Sequence, residues 1–184
     1  YHFWGKSHIL YFLIVRASLF FGRSEIWLRL PSALFGILSI PLLYFAALEI
    51  TGDRRTALLA AFLLALNRIH IQHSQEARFY PAMFFWSALG IYLFGLFLRK
   101  GSLAALALLP VCALAGYLTH PTTLVFSGML LAWALPSLLI DPRGREHLRG
   151  LLARVRALFP QAPASEKGGK KRNAGRGAKK APFP

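Results

Sequence analysis

The chain is poor in charge, and poorest in acid. Asp and Glu number 7 in 184 residues, and all charged residues together make up 16%, against about a quarter in an ordinary soluble domain. A single cysteine, Cys112, excludes an internal disulfide, and neither a CxxC pair nor a Cys/His ligand spacing is present. Cys112 sits in an apolar block and reads as a small buried hydrophobe. Alternating strand patterns with hairpin turns are absent, as are internal repeats. The chain begins at Tyr1 with neither Met nor a signal-like n-region and reads as a piece of something longer.

Apolar residues, by contrast, reach 55%, with 14% aromatic. Almost all precede Asp141, in long blocks that do not alternate with polar residues as the elements of a water-facing domain would. About 20 apolar residues make a helix that crosses the hydrocarbon core. The blocks at residues 31–50, 56–71, 79–98, 102–118 and 122–140 answer to that description. The second is short, reaching Asn67-Arg68 early, and Pro31 suits the first turn of the first. Residues 8–21 are apolar but too short, with Arg16 in the middle, and fit a helix lying at the interface. The expected fold class is all-α, a polytopic transmembrane helix bundle of about five spans plus an interfacial helix, over residues 1–140.

Charge supplies an orientation. Residues 141–184 carry 12 Lys and Arg against 3 acids, and residues 1–140 carry 10 against 4. Placing Arg54-Arg55, Arg99-Lys100 and the tail on one side gives 16 cations there against 6 on the other. The positive-inside rule makes the richer side cytoplasmic, an orientation that rests on the tail. Leu148, Leu151, Leu152, Val155 and Leu158 recur at helical spacing among arginines, the pattern of a basic amphipathic helix on anionic membrane lipids. Beyond Pro160 the run EKGGKKRNAGRGAKK is low in complexity and reads as disordered. It is read as lying near anionic lipid and not as binding nucleic acid.

Polar side chains beside membrane spans are functional candidates, and the densest set is NRIHIQHSQEARFYP, Asn67 to Pro81. An ordinary short loop favours Gly, Asp and Lys; this one holds Arg68, His70, Gln72, His73, Ser74, Gln75, Glu76, Arg78 and Tyr80. Glu76 and Arg78 are two apart, so they part on a helix and share a side on an extended segment. A guanidinium grips phosphate in two-point fashion. His70 and His73 are spaced to share a metal ion with no third ligand evident, so a divalent metal stays open and no cofactor is called for. His8 with Lys6, and His120 before Pro121, lie on the same outer side.

Several of these segments resemble membrane glycosyltransferases of the GT-C superfamily. The branch is the one related to protein O-mannosyltransferases and to the aminoarabinose and galacturonosyl transferases of lipid A. The stretch from Ser24-Glu25 through Arg29-Leu30-Pro31-Ser32-Ala33-Leu34-Phe35-Gly36 is similar to that branch's approach to its second span. Ser74-Gln75-Glu76-Ala77-Arg78-Phe79-Tyr80 is similar to its outer loop, Thr119-His120 to a Thr-His-Tyr at a later span end, and His8-Ile9-Leu10-Tyr11-Phe12 to a segment whose two prolines are missing here. The resemblance covers residues 8–140.

It implies inverting transfer of a sugar from a polyprenyl-phosphate donor to a lipid, glycan or protein acceptor at the outer face of the bacterial cytoplasmic membrane. Such transfer asks for a carboxylate base, cations for the departing phosphate, and a groove for the prenyl chain. The resemblance puts Arg78 on the carrier phosphate, Glu76 on Arg78 or a sugar hydroxyl, and Gln75, Tyr80, His70, His8 and His120 along the site. It places the base after a first span, upstream of Tyr1, and Glu25 at a structural position, so the piece is expected to be inactive alone. The alternative from the residues is a non-catalytic membrane protein, a transporter or scaffold subunit. Transporters gather polar residues near the midplane, often in repeated halves, a pattern this chain lacks.

Overall fold

The computed structural model describes residues 8–140 and 142–158. Lys6 and the stretch expected to be disordered after Pro160 lie outside the described residues. The elements are α1 (Ile9–Ser18), α2 (Glu25–Thr51), α3 (Arg54–Ala65), α4 (Arg68–Gln75), α5 (Tyr80–Lys100), α6 (Leu103–Thr119), α7 (Thr123–Ile140) and α8 (Pro142–Leu158). Among the described residues there is no strand. The fold is an all-α membrane bundle: α2 and α5 are long and apolar enough to cross a bilayer, and α1, α6 and α7 add shorter apolar helices.

The bundle is organised on the α2–α5 pair. Ser32, Ser39 and Ala46 of α2 and Ala82, Ala88 and Gly95 of α5 are buried small residues, while the buried Gly36 faces Ser74 of α4 and Gly90 faces Leu130 and Cys112. Small residues let two backbones approach closely where lipid gives no hydrophobic drive to associate. The approach is tight: a Cβ on Gly95 would sit 2.9 Å from the Glu49 Cβ. Large apolar side chains point outward instead, among them Ile37 and Leu38 on α2 and Leu58, Leu59, Phe62 and Leu63 on α3. Lipid solvates such surfaces; water does not.

Two expected boundaries are corrected. The apolar block puts Pro31 in the first turn of its helix, yet α2 starts at Glu25. Ser24 is extended at the N-cap, Glu25 puts an acid in the first turn, and it pairs with Arg29 one turn on. Pro31 therefore lies inside the helix and leaves the Trp27 carbonyl without its usual donor. The Ser18 hydroxyl lies 2.7 Å from that carbonyl and 2.7 Å from the Val15 carbonyl of its own helix, so its one proton is shared between them and the end of α1 is tied to α2. The second correction concerns residues 56–71, which form two helices. Asn67 is extended (φ −69°, ψ 113°), and its side chain accepts from the His70 N–H at 3.0 Å. That cap ends the path of α3 and starts the short polar α4.

Gly52 and Gly101 end α2 and α5 with φ of 73° and 62°, the left-handed terminus glycine adopts without strain. Asp53 then caps α3 through the Arg55 and Thr56 N–H groups. The hydrogen bonds from Thr56 and Arg55 hold its carboxyl below the usual carboxylate range. The α8 helix docks under the end of α5, where a Cβ on Gly101 would stand 2.7 Å from His147 Nδ1.

Candidate active site

The polar residues of the Asn67–Pro81 segment gather where α1, α4, the start of α5 and the α6–α7 turn meet. After α4 the backbone is extended at Glu76 (φ −95°, ψ 149°) and then turns tightly, the Arg78 N–H bonding to the Glu76 carbonyl at 2.8 Å, which brings Glu76 and Arg78 together. Their side chains pair, with Arg78 Nε 2.9 Å from Glu76 Oε2. Gln72 Nε2 donates to Glu76 Oε1 at 3.3 Å, and His73 Nδ1 stands 3.7 Å from Oε2. The Gln72 hydrogen bond holds the Glu76 carboxyl below its ordinary value; partial burial opposes this, and the charges of Arg78 and His73 add to it.

Arg78 is anchored by its backbone. The fully buried Ser32 hydroxyl donates to the Arg78 carbonyl at 2.9 Å and accepts from the Arg78 N–H at 3.2 Å. A serine hydroxyl has one proton, so Tyr11, 2.6 Å from Ser32 Oγ, is the donor in that pair. The Arg78 side chain is 58% exposed. Its Nε is held by Glu76, and its Nη groups make no hydrogen bond to the described residues. A guanidinium thus aimed presents its outer N–H groups to a ligand.

Beside Arg78, three rings meet. His8, Phe79 and His120 have centroids 4.5 Å (His8–Phe79), 4.4 Å (Phe79–His120) and 4.7 Å (His8–His120) apart. Hydrogen bonds fix the tautomers. His8 Nδ1 donates to the Thr119 carbonyl at 3.1 Å. His120 Nδ1 accepts from the Thr122 N–H at 3.1 Å, so it carries no proton there. Burial, then the neighbouring His8, keeps His120 below its ordinary 6.5. The Tyr80 ring is tilted against Phe79 at 4.5 Å and lies 4.7 Å from the His73 ring.

Of the residues expected at the site, Arg78, Glu76, Tyr80, His8 and His120 come together. His70 turns away: its Nε2 is 3.1 Å from the Gly36 carbonyl and its ring rests on Phe84. With Ser74 packed on Gly36, it holds α4 against α2. Gln75 is exposed at the end of α4. Sequence reasoning passed over Gln72, Ser32 and Phe79 as participants. Gln72 was legible, lying one helical turn before Glu76; the reach of Ser32 to Arg78 has no local signal. Among the described residues no three His, Cys, Asp or Glu side chains are grouped to hold a metal ion.

A family model described as dolichyl-phosphate-mannose-protein mannosyltransferase matches residues 2–152. An uncharacterized protein of Aquifex aeolicus (strain VF5) is 33% identical over 97 residues, which is 52% of this chain and 19% of that protein. The match thus spans about a fifth of the length of that curated relative. No solved structure matches the chain.

Proposed function

We propose that this chain, which belongs to the dolichyl-phosphate-mannose-protein mannosyltransferase family of GT-C membrane glycosyltransferases, forms the carrier-binding rim of an enzyme that moves a sugar from a polyprenyl-phosphate donor to a hydroxyl of a lipid, glycan or protein. The observation that carries this reading is the Arg78 arrangement: backbone pinned by Ser32, Nε held by Glu76, outer N–H groups exposed. In the reaction the acceptor oxygen bonds to the anomeric carbon as the carbon–oxygen bond to the lipid phosphate breaks, inverting that centre. Negative charge grows on the departing phosphate, and a preorganised cation stabilises it. Arg78 takes that role. His8 Nε2, His120 Nε2 and the Tyr80 hydroxyl line the place for sugar hydroxyls.

The base that takes the acceptor's proton is assigned to none of the carboxylates in α2 to α5. Glu25 is paired with Arg29, Glu49 with Arg99 and Lys100, Asp53 caps α3, and Glu76 holds Arg78. The rim is read as facing outward from the bacterial cytoplasmic membrane, because Arg54, Arg55, Arg99, Lys100 and the arginine-rich α8 sequence lie toward the other ends of α2 and α5. On that cytoplasmic side α8 rests on anionic lipid.

The test is sugar transfer by the full-length protein from a polyprenyl-phosphate mannose, comparing the parent with Arg78→Ala and Arg78→Lys. The reading expects Arg78→Ala to lose about 100- to 1,000-fold in rate, with partial recovery in Arg78→Lys. Undiminished transfer by Arg78→Ala would remove Arg78 from its role.

A further inference from the structure

Below the rim, α5, α6 and α7 line a partly open cavity of about 730 Å³. Its walls are apolar, with Phe94, Phe97, Leu109, Met129 and Leu130 among them. Ser87, Ser127 and Cys112 also line it, and two further polar atoms are buried without a partner. Trp86 Nε1 and Thr123 Oγ1 belong to residues that line the cavity, both atoms are buried, and neither has a hydrogen-bond partner. Thr123 is 2% exposed. An unmade hydrogen bond at a buried donor costs about 1–3 kcal/mol, and lipid offers no water to repair it.

The two residues are neighbours. A Cβ added to Gly116 would meet Thr123 Cβ at 3.3 Å and Trp86 Cβ at 3.4 Å, so both side chains leave the backbone beside the same glycine. Trp86 lies six residues into α5, about 9 Å along the helix from Tyr80, and Thr123 opens α7. The donors therefore mark the rim end of the cavity, and the rest of its length is mostly apolar.

We propose that this cavity binds an ester-linked glycerolipid, with an ester carbonyl accepting from Trp86 Nε1 and Thr123 Oγ1 and the acyl chain lying along Phe94, Leu109 and Leu130. The polarity pattern selects this ligand. An ester puts an acceptor oxygen at the head of a long apolar chain, just inside the level of the headgroup phosphate. A polyprenyl phosphate held by its phosphate at Arg78 has only isoprenoid chain to offer at Trp86, at least about 9 Å further along α5, and would leave both donors unsatisfied. The site is therefore separate from the place of the carrier phosphate; the exclusion of the carrier rests on the reading of Arg78, and the two probes below distinguish the failure of each.

The experiment is photolabelling of the full-length protein in nanodiscs that contain a phosphatidylglycerol with a diazirine on its acyl chain. A parallel sample carries a diazirine polyprenyl phosphate, and labelled peptides are mapped by mass spectrometry. The acyl probe is expected to label the cavity walls on α5, α6 and α7. Trp86→Phe with Thr123→Val should reduce that labelling about tenfold, the loss of two hydrogen bonds. Leu109→Trp, which fills the cavity, should abolish it, and Arg78→Ala should leave it unchanged. Cavity labelling by the polyprenyl probe in preference, labelling by neither probe, or acyl labelling indifferent to both Trp86→Phe/Thr123→Val and Leu109→Trp would each overturn the proposal.

Discussion

At the rim, the Glu76 side chain is 35% exposed and holds Arg78 by one nitrogen, leaving that side chain 58% exposed; at the opposite end of the α2–α5 pair, Glu49 is 11% exposed and engages both Arg99 and Lys100. Lys100 Nζ lies 3.0 Å from Glu49 Oε1, and Arg99 Nη1 also donates to the Leu48 carbonyl at 3.0 Å. Both ends thus use a carboxylate against cations. One cluster ties helix ends together and turns its carboxylate inward. The other is pinned through its backbone and turns its guanidinium outward. Availability, more than charge, separates a candidate ligand-binding group from a structural clamp.

The sharpest way to break this contrast is to exchange roles in full-length protein. Arg78→Ala should cost about 100- to 1,000-fold in transfer and, as a surface pair, less than about 1 kcal/mol in stability. Arg99→Ala should do the reverse, keeping transfer within about twofold while lowering the thermal midpoint in detergent. Its stability cost is about 1 kcal/mol, below that of a fully buried pair because both cations are partly exposed. If Arg99→Ala abolishes transfer without loss of stability, the two ends are not distinct in kind.

Next in size is the seam. Gly95→Leu would drive a branched side chain into the Glu49 backbone and should destabilise by about 1–3 kcal/mol; a midpoint equal to the parent's would show that α2 and α5 do not pack there. Asn67→Ala removes the cap that starts α4 and should cost about 1 kcal/mol, read as the same midpoint shift. Its effect on transfer should exceed its effect on stability, since α4 carries Gln72 and His73 to Glu76.

The smallest effect is pH dependence, which should belong to the rim. His120 has a folded-state value below its ordinary 6.5, so the unfolded chain binds more protons near pH 6. Its contribution is complete above about pH 6.5 and is lost as pH falls through the lowered value. The thermal midpoint should decline from pH 7 to pH 5.5, and His120→Asn should flatten that slope. Glu76, lowered from 4.5, acts in a separate window: its contribution is present above about pH 4.5 and lost below. A slope unchanged by His120→Asn would mean that the three-ring contact is not what titrates.

Much of this was legible in the chain. Apolar blocks longer than a soluble core needs announce the helices, whereas Glu76 and Arg78 meet through a tight turn that their two-residue spacing does not announce. What stayed hidden was long-range. Ser32 meets Arg78 across 46 positions and His8 meets Thr119 across 111, and periodicity carries no record of such pairs. His70 looked like a site residue because its neighbours are polar; only the packing of α4 on Gly36 shows its ring facing α2. The early start of α2 is obscured by Pro31, whose orphaned Trp27 carbonyl is approached by Ser18, a residue from another helix.

The claim on which the rest depends is that the rim around Arg78 and the cationic ends of α2 and α5 face opposite sides of one membrane. In full-length protein with Cys112→Ser as background, Gln75→Cys and Arg55→Cys can be treated in intact cells with a membrane-impermeant maleimide. The account predicts that the cysteine at position 75 is labelled from outside and the one at position 55 only after the cells are opened. Labelling at 55 from outside with protection at 75 would contradict it.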